Sequence, residues 1–200
     1  MNCTQLEWNT AAAAMPGQLE SGDLFLACAI PDGMLFAAID GLGHGAEAAV
    51  AARAAVEALE QHASEPVITL LKHCHDALLT TRGAAMSLAA LNTRYGTMTW
   101  IGVGNVAGIL LRADNTLPTE NLLLRSGVVG YQMPLLQAAV LPISAGDLLI
   151  FTTDGLLNDC AQTVHVDAPL QVIAERLLKT ANKGIDDALV LVVRCKGGEA

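Results

Sequence analysis

Two short apolar runs, Leu24 to Ile30 and Met34 to Ile39, are separated by Pro31-Asp32-Gly33, and the second runs straight into Asp40-Gly41-Leu42-Gly43-His44-Gly45. Runs of this length around a Pro-Asp-Gly turn predict a β-hairpin. The segment that follows, Ala46 to about His62, is alanine-rich, lacks Gly and Pro, and places Val50, Ala54 and Leu59 near one face, which predicts a long helix launched from the aspartate loop.

Ser64-Glu65-Pro66 predicts a second helix, with Ser64 as its N-cap, Pro66 in its first turn, an apolar stripe of Val67, Leu70, Leu71, Cys74 and Leu78, and an end near Arg82-Gly83. Strand-like runs come next: Ala84 to Leu91, Thr97 to Val103, Val106 to Arg112, roughly Asn121 to Ser126, and Asp147 to Thr153. Ala168-Pro169 introduces a third helix carrying Leu170, Ile173, Ala174, Leu177 and Leu178, and Ala188 to Val193 forms a last, continuously apolar strand. Paired strands, then helices, then more strands suit an α+β layered fold better than alternating βαβ units. A single domain is expected over residues 1–195, with 196–200 as a loose tail.

The 200 residues are enough to bury a core without structural metal or disulfides. Apolar residues make up 52% of the chain, yet no segment reaches the roughly 18 uninterrupted apolar residues of a membrane span. The N-terminus has no basic leader, so a cytoplasmic protein with no membrane association is expected. Twenty acidic against 11 basic residues, a net charge of -9, argue against nucleic acid as a partner. The five cysteines are scattered and form no CxxC pair, as expected of reduced, mostly buried thiols.

Aspartates at the ends of apolar stretches carry the chemistry: Asp23 after Ser21-Gly22, Asp40, Asp154 after Thr152-Thr153, and the pair Asp186-Asp187. A strand ending in Asp-Gly can offer its carboxylate to two cations while the Gly41 carbonyl ligates one of them. Hard cations such as Mg2+ and Mn2+ take oxygen ligands of this kind and can activate water against a phosphate ester. Taken alone, Asp-Gly is also an ordinary turn. The recurrence at Asp154 and the distant Asp186-Asp187 favour the metal reading.

Gly22-Asp23, Asp40-Gly41-Leu42-Gly43-His44-Gly45, Arg82-Gly83-Ala84-Ala85-Met86-Ser87, Gly102-Val103-Gly104-Asn105-Val106, Thr153-Asp154-Gly155 and Asp186-Asp187-Ala188-Leu189 stand in an order that resembles the PP2C-type metal-dependent serine/threonine phosphatases, in particular their short bacterial stressosome branch. The resemblance runs from about Gly22 to Val193. It implies a four-layer α-β-β-α sandwich of two antiparallel sheets flanked by helices, with two Mn2+ or Mg2+ ions at one end. It implies Asp40 as the bridging ligand, Asp23 and the Gly41 carbonyl on one metal, and Asp154 with Asp186 on the other, with Asp40 and Asp154 central to catalysis. The implied substrates are phosphorylated STAS-domain proteins, the scaffold or antagonist of a stressosome. An anti-anti-sigma factor as substrate, or a non-catalytic binding module of the same fold, are the alternatives.

Because side chains alternate along a strand, only one of Asp186 and Asp187 is expected to face the metals; Asp186 is preferred, with Asp187 bonded to backbone. Asn105 stands where many PP2C-type phosphatases carry a third metal-binding aspartate, so a third site is expected to be weak or absent. His44 is either a proton donor to the leaving alkoxide or a polar loop residue. His73 and His75 point in different directions on a helix and are not expected to share an ion; His62 has no evident companion. Arg82 could bind substrate phosphate, but a cation at a helix C-terminus is the simpler reading.

Overall fold

The computed structural model describes residues 3–157 and 164–197. The order is β1 (Gln5–Ala13), β2 (Asp23–Ile30), β3 (Gly33–Gly41), α1 (Ala46–His62), α2 (Val67–Leu78), β4 (Ala84–Asn92), β5 (Thr97–Val103), β6 (Ala107–Leu111), β7 (Glu120–Asn121), β8 (Leu124–Arg125), β9 (Ala139–Pro142), β10 (Leu148–Thr152), α3 (Leu170–Ala181) and β11 (Ala188–Lys196). One sheet runs β1-β11-β10-β6-β7 and the other β2-β3-β4-β5-β8, with β9 also paired to β5. All pairings are antiparallel except the two-residue contact of β5 with β8.

Strand periodicity sorts the side chains into three cores. On β3, Leu35, Ala37 and Ile39 pack under α1 and α2, whereas Phe36 and Ala38 face the other sheet. On β10 and β11, Ile150, Val190 and Val192 pack under α3, whereas Phe151, Leu189 and Leu191 face inward. The result is α1 and α2, sheet, sheet, α3: the α-β-β-α sandwich. The same alternation extends the inward rows to Asp23, Asp40, Thr153 and Asp187, all at one end of the inter-sheet core.

Several expectations are corrected. Pro66, not Ser64, precedes α2: with φ -58° and ψ 142° it is extended, and its carbonyl accepts the N–H groups of Thr69 and Leu70. The helix ends at Leu78, whose carbonyl is taken by Thr81, so Arg82 lies beyond its last turn. The run Asn121 to Ser126 splits into β7 and β8 on different sheets because Leu122, bonded through its N–H to the Gly108 carbonyl, is drawn into the core between them. Strand β1, absent from the sequence reading, pairs with β11 along its whole length, and this includes Lys196 opposite Gln5. Lys196 is therefore strand rather than tail, and residues 198–200 lie outside the described residues. No helix among the described residues is long and apolar enough to cross a membrane.

Candidate metal centre

The hairpin delivers the first two acids. Asp23 opens β2 and is the register partner of Asp40 near the end of β3, so both carboxylates stand side by side on the inward face. Asp23 is buried and accepts a 2.6 Å hydrogen bond from the Thr153 hydroxyl of the other sheet. Burial is the main reason its carboxyl is raised to about 7, with Asp187, Asp154 and Asp186 adding repulsion against the Thr153 bond. Asp40 is raised to about 8, again chiefly by desolvation and then by Asp23, Asp154, Asp186 and Asp187. The acids from both sheets thus share one electrostatic site.

Asp154 follows β10 and is exposed at its mouth. Its Oδ2 accepts the Asn105 side-chain N–H at 2.7 Å, and its backbone carbonyl accepts the Lys183 ammonium at 2.6 Å. Asp186 stands half-buried before β11, its Oδ1 taking the N–H of Asp187 at 2.9 Å. Asp187, on the inward row, is taken up by backbone. Its two oxygens accept the backbone N–H groups of Met15 and Gly22, each at 2.7 Å, which clamps the chain just before Asp23.

Two glycines permit this closeness. A Cβ on Gly41 would run into the backbone carbonyl of Ala48 in α1, and one on Gly155 into that of Asp187. The Gly41 N–H donates to the Gly22 carbonyl and the Leu42 N–H to that of Gly83, each at 3.0 Å, so the aspartate loop is held on both sides. His44 is exposed on this loop. Arg82 lies over Gly43 and forms an ion pair with Glu47 in the first turn of α1, not with the end of α2.

The donor set is all oxygen, with mutually repelling, partly desolvated carboxylates, and fits hard divalent cations. Sequence reasoning missed Thr153 and Lys183 as parts of this site, whereas the expectation that Asp187 bonds to backbone is met at Met15 and Gly22. Only the Thr-Thr-Asp-Gly run hinted at the first. The loop after Asp154, from about Leu156 to Pro169, has no regular sequence pattern and is the segment expected to contribute to substrate choice; its residues 158–163 lie outside the described residues.

A sandwich of two sheets with acids gathered at one end of the inter-sheet core is the architecture of PP2C-type phosphatase domains. Residues 31–196 match the profile of Stage II sporulation protein E (SpoIIE), and the chain belongs to that family. Over 94 residues it is 34% identical to the phosphoserine phosphatase RsbX of Bacillus subtilis (strain 168), a match spanning 47% of this chain and 47% of RsbX. The chain thus aligns with about half the length of that relative. Its fold is similar to a chain from work on the bacterial stressosome as a modular system adapted to control secondary messenger signaling: TM-score 0.87, 27% identity, 95% of this chain and 100% of the other. It is also similar to the crystal structure of RsbX in complex with magnesium, with TM-score 0.84, 25% identity and 96% of each chain covered.

Proposed function

We propose that this chain hydrolyses phosphoserine or phosphothreonine on a partner protein, using two Mn2+ or Mg2+ ions held by Asp23, Asp40, Asp154, Asp186 and the Gly41 carbonyl. The observation that carries this reading is the convergence of carboxylates from both sheets, with Asp23 raised to about 7 and Asp40 to about 8. Acids that repel one another in a partly desolvated site would be relieved by cations, and Asp40, repelled by Asp23, Asp154, Asp186 and Asp187, would help to hold them.

When bound, such ions lower the pKa of a water and neutralise charge on the phosphoryl oxygens. The chain's own residues orient the ligands: Thr153 fixes Asp23, Asn105 fixes Asp154, and Asp187 holds the backbone at Gly22. None of the five cysteines is followed six residues later by arginine, which argues against a thiol phosphatase.

The proposed substrate is a phosphorylated STAS-domain scaffold or antagonist of a stressosome. Similarity to RsbX and to a stressosome-related chain supports this choice. The test is phosphate release from such a protein with Mn2+ or Mg2+ supplied and then chelated. Metal-dependent release that disappears in Asp40→Asn is expected. No metal-dependent release from any phosphoprotein, or full activity in Asp40→Asn, overturns the enzyme reading, and release from an isolated anti-anti-sigma factor alone overturns the choice of partner.

A further inference from the structure

His62 in the last turn of α1, Glu65 in the connection and His73 on α2 meet on the outer face of the α1–α2 hairpin, in a cluster without any part in the aspartate centre. His62 Nδ1 lies 3.2 Å from Glu65 Oε1, and His73 Nε2 lies 3.1 Å from Glu65 Oε2. The two imidazoles stack with centroids 3.8 Å apart and planes 9° from parallel. One ligand atom from each of the three residues lies within 4.8 Å of the other two. His75, by contrast, turns away and accepts the Gly130 N–H at 2.9 Å.

From this geometry we infer that His62, Glu65 and His73 form a second metal site, selective for a borderline divalent cation of the Zn2+ class. Two imidazole nitrogens and one carboxylate oxygen are the donor chemistry Zn2+ takes up, whereas Mg2+ and Mn2+ prefer oxygen alone. Tetrahedral bonds of about 2.0–2.1 Å put neighbouring ligand atoms about 3.4 Å apart, close to the two nitrogen–oxygen separations already present. In the stacked arrangement the ring lone pairs run side by side, so the rings must turn to converge on one ion. The three side chains are 34–41% exposed, which leaves them free to do so. Water completes the coordination on the solvent side.

A cation here links the end of α1 to the second turn of α2 and closes the hairpin that packs over β3. Its chemical alternative is a pair of imidazoles merely sharing one carboxylate through protons. The two are separated by Zn2+ titration of the full chain carrying Asp40→Asn, with Mg2+ in excess, followed by calorimetry and by the imidazole NMR signals. One Zn2+ per chain is expected, with both His62 and His73 signals shifting and the His75 signals unmoved. Adding His73→Ala or Glu65→Gln to the same chain is expected to weaken that binding at least tenfold, with circular dichroism unchanged. Zn2+ affinity indifferent to both substitutions, or signals of His62 and His73 that do not move, overturns the site.

Discussion

Thr153, the residue after β10, and Asp23, the first of β2, are joined across the two sheets by a 2.6 Å hydrogen bond from the threonine hydroxyl to the carboxylate. The same hydroxyl oxygen accepts the N–H of Leu189 at 2.8 Å, so one side chain ties β2 to β10 and β11 beside the acids. Among the influences on Asp23, this bond is the one that favours the ionised form.

Thr153→Val keeps the shape and deletes the donor. It leaves a buried carboxylate and the Leu189 N–H without their partner, a loss of about 1–3 kcal/mol. Urea denaturation of the metal-free chain is expected to record that loss. Mn2+ titration is expected to show weaker binding near neutral pH, because Asp23 then holds its proton to higher pH. Unchanged stability and affinity would remove Thr153 from the site.

The acids also set a pH dependence. Asp23 and Asp40 titrate at about 7 and about 8 in the folded metal-free chain, against 3.8 for an ordinary aspartate. Between those values the folded state binds protons that the unfolded state has lost. Their contribution to stability is therefore greatest at the acid end of the window and is lost as pH rises through it. Metal ligation requires the ionised form, so cation binding must release protons. Calorimetry in buffers of different ionisation enthalpy is expected to find proton release at about pH 6 that vanishes by about pH 9, with Mn2+ affinity rising in parallel. Release independent of pH contradicts the shared electrostatic site.

The hairpin and its acids were legible because two short apolar runs flank Pro31-Asp32-Gly33 and the second ends at Asp40; only the fold then sorts Leu35, Ala37 and Ile39 toward the helices and Phe36, Ala38 and Asp40 toward the opposite sheet. The α2 stripe was legible from its period of 3.6. Strand β1 was not read: Gln5 to Asn9 alternates, but the alternation stops at residues 10–13, and the whole strand owes its form to pairing with β11 at the far end of the chain. Thr153 could not be assigned either, because its partner is 130 residues away and only the stacking of the two sheets brings them together. His62 meets Glu65 only three residues on and stacks on His73 once α1 and α2 lie against each other, a juxtaposition that helix periodicity alone does not show.

Asp187 offers a test of the clamp as distinct from the proposed metal ligands. It is buried, and both oxygens accept backbone N–H groups, from Met15 and Gly22. Asp187→Asn replaces one acceptor with an amide that points a donor at a donor. A destabilisation of about 1–3 kcal/mol is expected, with faster hydrogen exchange at Met15 and Gly22. Metal affinity should fall less than in Asp186→Asn. The reverse order of metal affinities would exchange the roles of the two neighbours.

Asn105→Asp examines the amide that stands against Asp154 at the mouth of the site. The Asn105 amide donates to Asp154 Oδ2 at 2.7 Å and so occupies an oxygen that is exposed at the mouth of the site. An aspartate there removes the donor and sets two carboxylates against each other. Solvent screens much of that repulsion because Asp154 is exposed, and a destabilisation of the metal-free chain of no more than about 1 kcal/mol is expected. The new carboxylate also adds an oxygen ligand of the kind that hard cations prefer. Mn2+ calorimetry is therefore expected to show binding beyond that of the wild-type chain, either a further site or tighter occupancy beside Asp154. If instead binding weakens, the bond from Asn105 orients Asp154 for the cations, and its amide is a supporting part of the centre rather than a missing ligand.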